Sequence, residues 1–382
     1  MRLLFIGSEI RHELGCAASL GMFGYDVLYL HIGFRYRPLA WRNVCLDYSC
    51  LKIKTAEIHS LKLPQVLLHT KSVIPEDILH YNPDIVFSTP SVPTYVGRYL
   101  AKLTDSPLVL RIWGVRANKL MDHLLHGKNY SEIVLFPASI LHNMVQIYNS
   151  KAAVTLDVST MKFLRKIMPS ARKIKLVYPT YAALYGNGND YELLKIKELI
   201  ERGDYIFGFV TMSKTGSVFR LEQQPLFKIL YVIAKRCPEI NVVIAGGTLD
   251  EARRKFGFSS MPKNLLFAGS GISDNAIKAL YEHAKLVVIP VFSRSVSNRL
   301  LEALFYRRPV LTNSVALELH PELRECTIVS DDYNKYPEII KDLLRQDHVL
   351  EELHLKVKMI WDKLFSSRVQ AVEMLKAIKE IT

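Results

Sequence analysis

The residues with the clearest chemical potential lie between positions 286 and 312, where one carboxylate, Glu302, sits on an otherwise apolar helical stretch beside Arg299. Residues 286–290 read as a buried strand, residues 293–297 as a polar loop rich in hydroxyls, and a second apolar strand starts at Val310. A short helix opens at Ser297 and Asn298, where free N–H groups and the helix dipole favour an anion. A carboxylate one turn inward can accept hydrogen bonds from two adjacent sugar hydroxyls. One reading is a nucleotide-sugar pocket, with phosphates at the helix tip and a ribose on Glu302. The other is a buried structural pair of Glu302 with Arg299.

Further groups of this kind are spread along the chain. The segment 209–220, FVTMSKTGSVFR, carries Lys214 and Arg220, which can meet a diphosphate or stand as solvated loop charges. Gly269-Ser270-Gly271 follows an apolar run and predicts a tight turn whose backbone can approach a nucleotide base. Near the N-terminus, residues 7–15 read as a loop holding Gly7, Ser8, Glu9, Arg11, His12 and Glu13. His12 is the one side chain there suited to proton transfer near neutrality, and an incidental exposed histidine is the plainer reading. Residues 34–42 alternate basic and aromatic side chains, which suits a membrane interface or a surface loop with a buried Trp41.

These residues need a frame, and the chain supplies apolar strands alternating with helical patterns. That order predicts α/β architecture with parallel sheets. A strand over 2–6, a helix carrying Leu14, Ala17, Ala18 and Leu20, a stop at Gly24 and a strand over 27–30 form the first Rossmann-like unit. It lacks G-x-G-x-x-G, so no dinucleotide cofactor is expected. Further strands are expected over 83–88, 108–113, 152–159 and 174–179, then a polar linker over 185–190. A second Rossmann-like unit runs from strand 205–210 through a helix over 225–236 and strands 241–245 and 265–268. A helical pattern over 350–381 closes the chain.

Size and composition set outer limits. A chain of 382 residues is expected to form two domains. No apolar run is long enough for a transmembrane helix. Five cysteines without a C-x-x-C pair predict reduced thiols in a cytoplasmic protein. The net charge is +13, and the first 180 residues hold 22 Lys and Arg against 12 Asp and Glu, or +10. Such an excess suits anionic lipid, nucleic acid or a phosphorylated acceptor. No nucleic-acid module is recognisable, so nucleic acid is not expected as a partner. The absence of any D-x-D pair disfavours a metal-bound diphosphate, and neither metal nor cofactor is expected.

The segment SVSNRLLEALFYRRPVLTN resembles the donor-binding segment of GT-B glycosyltransferases, specifically the retaining family 4 with its NKLLEAMAxGxPVV signature. NPDIVFSTPS and PLVLRIWG resemble two strands of that family's N-terminal domain. The resemblance implies two tandem Rossmann-like domains facing a cleft: 1–184 on the acceptor side, 185–365 on the donor side, and 366–382 as a helix returning to the first. It implies a metal-independent, retaining transfer from a nucleotide-sugar to a glycan or lipid-linked acceptor, with no protein nucleophile. Glu302 would bind the ribose; Arg299, Lys214, Arg220, Arg294, Ser297 and Asn298 would meet the diphosphate or sugar; Ser270 and Gly271 would meet the base. Gly7, Ser8, Glu9, Arg11 and Trp113 would lie on the acceptor side, and the protein would be cytoplasmic or peripheral on the inner membrane face. Three positions depart from the family. Trp113 replaces a histidine, Met212 an arginine and Arg294 a glutamate. A GT-B-shaped protein without catalysis, acting as a binding or scaffold subunit, is the alternative these departures support.

Overall fold

The computed structural model describes residues 1–8, 11–33, 37–47, 49–59, 74–90, 92–112, 141, 144–167, 174–185, 190–214, 222–257, 260–292 and 297–380. The chain forms two compact units, one of residues 1–118, 131–184 and 364–382, the other of 119–130 and 185–363.

The first unit is built on eight strands: β1 Arg2–Gly7, β2 Asp26–Gly33, β3 Arg37–Cys45, β4 Cys50–His59, β5 Ile85–Ser88, β6 Leu108–Ile112, β7 Ala152–Thr155 and β8 Ile174–Leu176. They lie in the order β3-β4-β2-β1-β5-β6-β7-β8, all parallel except the antiparallel β3–β4 pair. Strands covered on both faces read as continuous apolar runs, and β5, β6 and β7 are buried along their whole length. Helix α1 (Arg11–Met22) links β1 to β2, and its end is turned by Gly24 at φ 81°, a conformation that favours glycine. Helices α2 (Val92–Leu103) and α3 (Val158–Ile167) follow β5 and β7. The chain leaves β1 toward β2 on one side and resumes at β5 on the other, so the sheet's topological switch point lies between β1 and β5.

The second unit has six parallel strands: β9 Tyr205–Phe209, β10 Asn241–Ala245, β11 Leu265–Gly269, β12 Leu286–Val288, β13 Val310–Thr312 and β14 Thr327–Val329. Their order, β11-β10-β9-β12-β13-β14, is that of a doubly wound sheet with its switch point between β9 and β12. Among the described residues its helices of eight or more residues are α4 (Asp190–Ile200), α5 (Gln224–Arg236), α6 (Leu249–Phe256), α7 (Asp274–His283), α8 (Asn298–Phe305), α9 (Tyr336–Leu344) and α10 (Asp347–Ile360). Helix α6 starts with a reciprocal cap between Thr248 and Glu251 and ends at Gly257 in the left-handed region. Phe227 of α5 is fully buried and stacks on Phe256 of α6 at 3.9 Å between ring centroids. Truncating such a core aromatic costs about 3–5 kcal/mol.

After α10 the chain turns through residues 361–365 into α11 (Ser367–Lys379), which belongs to the first unit and packs on α1. Ser19 Oγ donates to Gln370 Oε1 at 3.3 Å, the Ser367 amide donates to Asp47 Oδ2 at 3.2 Å, and Lys175 pairs with Glu380.

The helical pattern over 350–381 is α10 and α11, with Ser366 capping the second through the Val369 amide. Three expectations need correction. The expected strand 152–159 ends at Thr155, because Asp157 Oδ1 accepts the Thr160 amide at 2.7 Å and starts α3. The supposed loop over 34–42 includes the first half of β3, an edge strand in which Trp41 is 61% exposed rather than buried. Finally, Cys45 and Cys50 form a disulfide, where reduced thiols were expected. The β3–β4 register sets them directly opposite each other, with Cα atoms 4.0 Å apart. Cys16, Cys237 and Cys326 are free and buried.

Candidate functional site

The C-terminal ends of β9, β10, β11 and β12 gather most of the second unit's expected residues, which is where open α/β sheets bind ligands. Helix α8 starts just beyond β12, capped by Ser297 Oγ, which accepts the Leu300 amide at 3.3 Å. Asn298 and Arg299 form its first turn, and Glu302 follows at 2% exposure. Arg299 Nη1 donates to Glu302 Oε2 at 2.6 Å, and the Tyr281 hydroxyl donates to the same oxygen at 3.0 Å. Tyr281 is itself fixed, edge-on to Phe207 and stacked on Tyr306. The Arg299 guanidinium also lies 3.2 Å from the ring centroid of Phe209, at the end of β9. The site therefore holds an oriented carboxylate and a cation whose side chain is still 38% exposed.

The turn after β9 is pinned by its backbone. The Met212 amide donates to Gly246 O at 2.8 Å, and the Thr211 amide donates to Gln223 Oε1 at 2.7 Å. Met212 is 1% exposed and fills the space in front of Gly247, where an added Cβ would stand 2.3 Å from the Met212 Cγ. Position 212 is thus a core position, and no cation faces the strand ends from it. Lys214 is exposed two residues later, its carbonyl accepting from Lys255 Nζ at 2.7 Å.

Beyond β11, Gly269 and Gly271 take φ values of 119° and 66°, so the turn needs glycine at both. Ser270 Oγ donates to Glu251 Oε2 at 2.7 Å, and the Thr248 amide donates to that oxygen at 2.8 Å. The Ser270 hydroxyl and then the Thr248 amide hold the Glu251 carboxyl below its usual range. Arg220 and Arg294 lie outside the described residues.

In the first unit, Ser8 is exposed and Arg11 opens α1. His12 is not the exposed loop histidine expected: helix α1 begins at Arg11, and His12 is 0% exposed inside it. Gly7 has a packing role, since a Cβ there would fall 1.5 Å from Glu13 Oε2. Removing that atom lets the Glu13 carboxylate lie against the end of β1, where the Tyr29 hydroxyl donates to it at 3.1 Å. Glu9 and Trp113 lie outside the described residues. Sequence reasoning missed Tyr281, Phe209 and Glu251 as partners of the donor-side residues. Only the aromatic ending of an apolar run, Phe209, offered a local signal.

Residues 206–346 match the family model described as Glycosyl transferases group 1. No curated protein matches the sequence. Among solved structures the chain resembles sucrose-phosphate synthase from Thermosynechococcus elongatus, with 11% identity, a TM-score of 0.68, and coverage of 100% of this chain and 99% of that one. It also resembles HepE of Anabaena, solved in complex with UDP-glucose, at 13% identity, a TM-score of 0.62 and full coverage of both chains. Trehalose 6-phosphate synthase from Burkholderia multivorans aligns at 9% identity and a TM-score of 0.61, over 100% of this chain and 98% of that one. The likeness to these structures shows that the chain shares the GT-B fold, and the match to the group 1 model covers residues 206–346.

Proposed function

We propose that this chain, a GT-B protein with a glycosyltransferase group 1 domain, transfers a sugar from a nucleotide-sugar donor held at the strand ends of its second unit. The observation that carries the reading is Glu302: a carboxylate 2% exposed, oriented by Tyr281 and Arg299 one turn inside a capped helix start at the switch point. In this reading Arg299 turns from Glu302 toward the diphosphate and frees Oε2 for the ribose hydroxyls, while Tyr281 keeps the carboxylate in place. Arg299, Lys214 and the amides at Ser297 and Asn298 offset charge on the leaving diphosphate. Arg220 and Arg294 are further cations of that set. Ser270 and Gly271 lie on the base side. The transfer is retaining and independent of a metal. The deciding experiment is a thermal-stability screen of the chain against UDP-, GDP-, ADP- and CMP-sugars, since a ligand of the native state raises the midpoint. No shift with any of them removes the donor reading.

A second reading rests on Met212. Its burial against Gly247 leaves the position without the family's arginine, which favours a binding or scaffold subunit that retains the fold without catalysis. Donor binding without any donor hydrolysis or transfer supports it.

The acceptor is a glycan or lipid-linked molecule, and an anionic membrane surface is the proposed partner of the first unit. The support is the edge strand β3, where exposed Trp41 lies beside Arg42, with the Lys54 ammonium 5.3 Å from its ring. Among the described residues no helix is long and apolar enough to cross a membrane.

A further inference from the structure

We infer that the first unit contains a subsite for an oxyanion, a carboxylate or a phosphate group, bound by Arg111 together with Thr89. The strand register brings the elements together. Ile6 pairs with Ser88 and Ser88 with Leu110, so the next residues, Gly7, Thr89 and Arg111, come abreast at the C-terminal ends of β1, β5 and β6. That row lies at the unit's topological switch point.

Arg111 is 2% exposed within the otherwise apolar run of β6. Its Nε and Nη2 are buried and make no hydrogen bond, and the side chain makes no ion pair among the described residues. Those two N–H groups form the side of the guanidinium fork that takes a carboxylate or phosphate with two parallel bonds. Buried N–H groups of a guanidinium left without hydrogen bonds are costly, and an oxyanion is the ligand that satisfies both at once.

Thr89 gives a second, separate sign. Its amide donates to Ile6 O at 3.1 Å, and its carbonyl accepts from Ser88 Oγ at 3.2 Å and Thr94 Oγ1 at 2.6 Å. Only the hydroxyl is left, and Thr89 Oγ1 is buried without a partner. Both residues line one small space, with Glu13 and Tyr29 on its other side. The gap between atoms is about 150 Å³ and admits no water in this state, so a rotation of Arg111 or Thr89 must open it to a ligand oxygen. A ligand carrying both an anion and hydroxyls suits the whole set: the anion on Arg111, a hydroxyl on the Glu13 carboxylate.

Calling that ligand the acceptor rests on the function proposed above; the anion subsite itself does not. The test uses the full chain and two probes, inorganic phosphate and acetate, titrated at constant ionic strength against chloride, with thermal unfolding and calorimetry as readouts. Saturable stabilisation by phosphate or acetate is expected, and the stronger probe names the chemical class. Arg111→Met should weaken that binding by about ten- to a hundredfold, the loss expected for charge-assisted bonds. Without ligand it should melt lower than the parent, because the buried Glu13 carboxylate across the same space loses the facing cation, so binding is compared as the shift produced by the anion in each protein. Thr89→Val should weaken binding by about three- to tenfold and keeps the test available if Arg111→Met does not fold. No saturable effect of either anion on the parent, or full retention of the effect in Arg111→Met, overturns the inference. UDP titration of the same proteins is the separate control: its failure removes the donor reading and leaves the anion result standing.

Discussion

Arg299 rests on Phe209, its guanidinium carbon 3.2 Å from the ring centroid, so β9 supplies the platform for the helix that carries Glu302. Phe209→Leu keeps an apolar side chain at the strand end and removes the aromatic face. A cation–π contact contributes about 0.5–1 kcal/mol at a part-exposed site, so donor affinity should fall roughly two- to fivefold with little change in melting temperature. Calorimetric titration with the donor found in the sugar-nucleotide screen checks this.

Glu302→Gln preserves shape while removing the charge that Arg299 and Tyr281 address. Donor affinity should fall by about ten- to a hundredfold, from loss of a charge-assisted hydrogen bond of about 1.5–3 kcal/mol. Tyr281→Phe is the comparison: it removes one neutral donor and should cost about 1 kcal/mol of stability with a smaller effect on the donor. Unchanged donor affinity in a folded Glu302→Gln chain would leave Glu302 as a purely structural partner of Arg299.

Met212→Arg should not restore a family-like cation. Met212 is buried against Gly247, and an arginine there must displace packed atoms or bury its charge, at a cost of several kcal/mol. Gly247→Ala should destabilise by about 1–3 kcal/mol for the same reason, and Met212→Ala in the same chain should recover part of that loss. Urea unfolding of the two single variants and the double variant measures the coupling. Additive losses would mean that the two positions do not share the space.

His320 makes the fold sensitive to acid. Burial alone lowers its pKa to about 3, while the unfolded side chain titrates near 6.5. Between those values the unfolded chain binds more protons, so stability rises with pH across the window and is lost as pH falls from 6.5 toward 3. Going from pH 7 to 5 should cost on the order of 2 kcal/mol from this residue. Chemical unfolding at several pH values should show that slope in the parent and a flatter one in His320→Gln.

Transfer activity should persist in excess chelator, because the proposed diphosphate partners are Arg299, Lys214 and backbone amides. Loss in chelator, with recovery on adding magnesium or manganese, would overturn metal independence.

The second unit was the more legible in sequence. Its strands are short apolar runs punctuated by glycine; β10 has the expected limits and β13 the expected start. Glu302 and Arg299 stood out because charges on an apolar helix are conspicuous, and of the two readings first drawn for them the Glu302–Arg299 pair is the one the structure contains. The first unit hid more. The β3–β4 hairpin carries charge and proline on an exposed face, and the disulfide depends on a register that spacing alone does not give. His12 looked exposed because the glycine, serine and charges around it read as a loop, whereas α1 already begins at Arg11. Arg111 was visible as one cation inside Leu108–Ile112, but its isolation from partners is a three-dimensional fact.

Helix α11 bears on how the chain is made. Its contact with α1 joins Ser19 to Gln370, residues separated by 351 positions, while all of 185–363 lies between them. During vectorial synthesis the face of α1 that receives α11 stays uncovered until residues 367–379 emerge, although residues 185–363 have already been made. The unit begun first is therefore completed only after residues 185–363 have been made, and its nascent form leaves Ser19 on α1 without its Gln370 partner. Cutting the chain after residue 184 would make that transient state permanent.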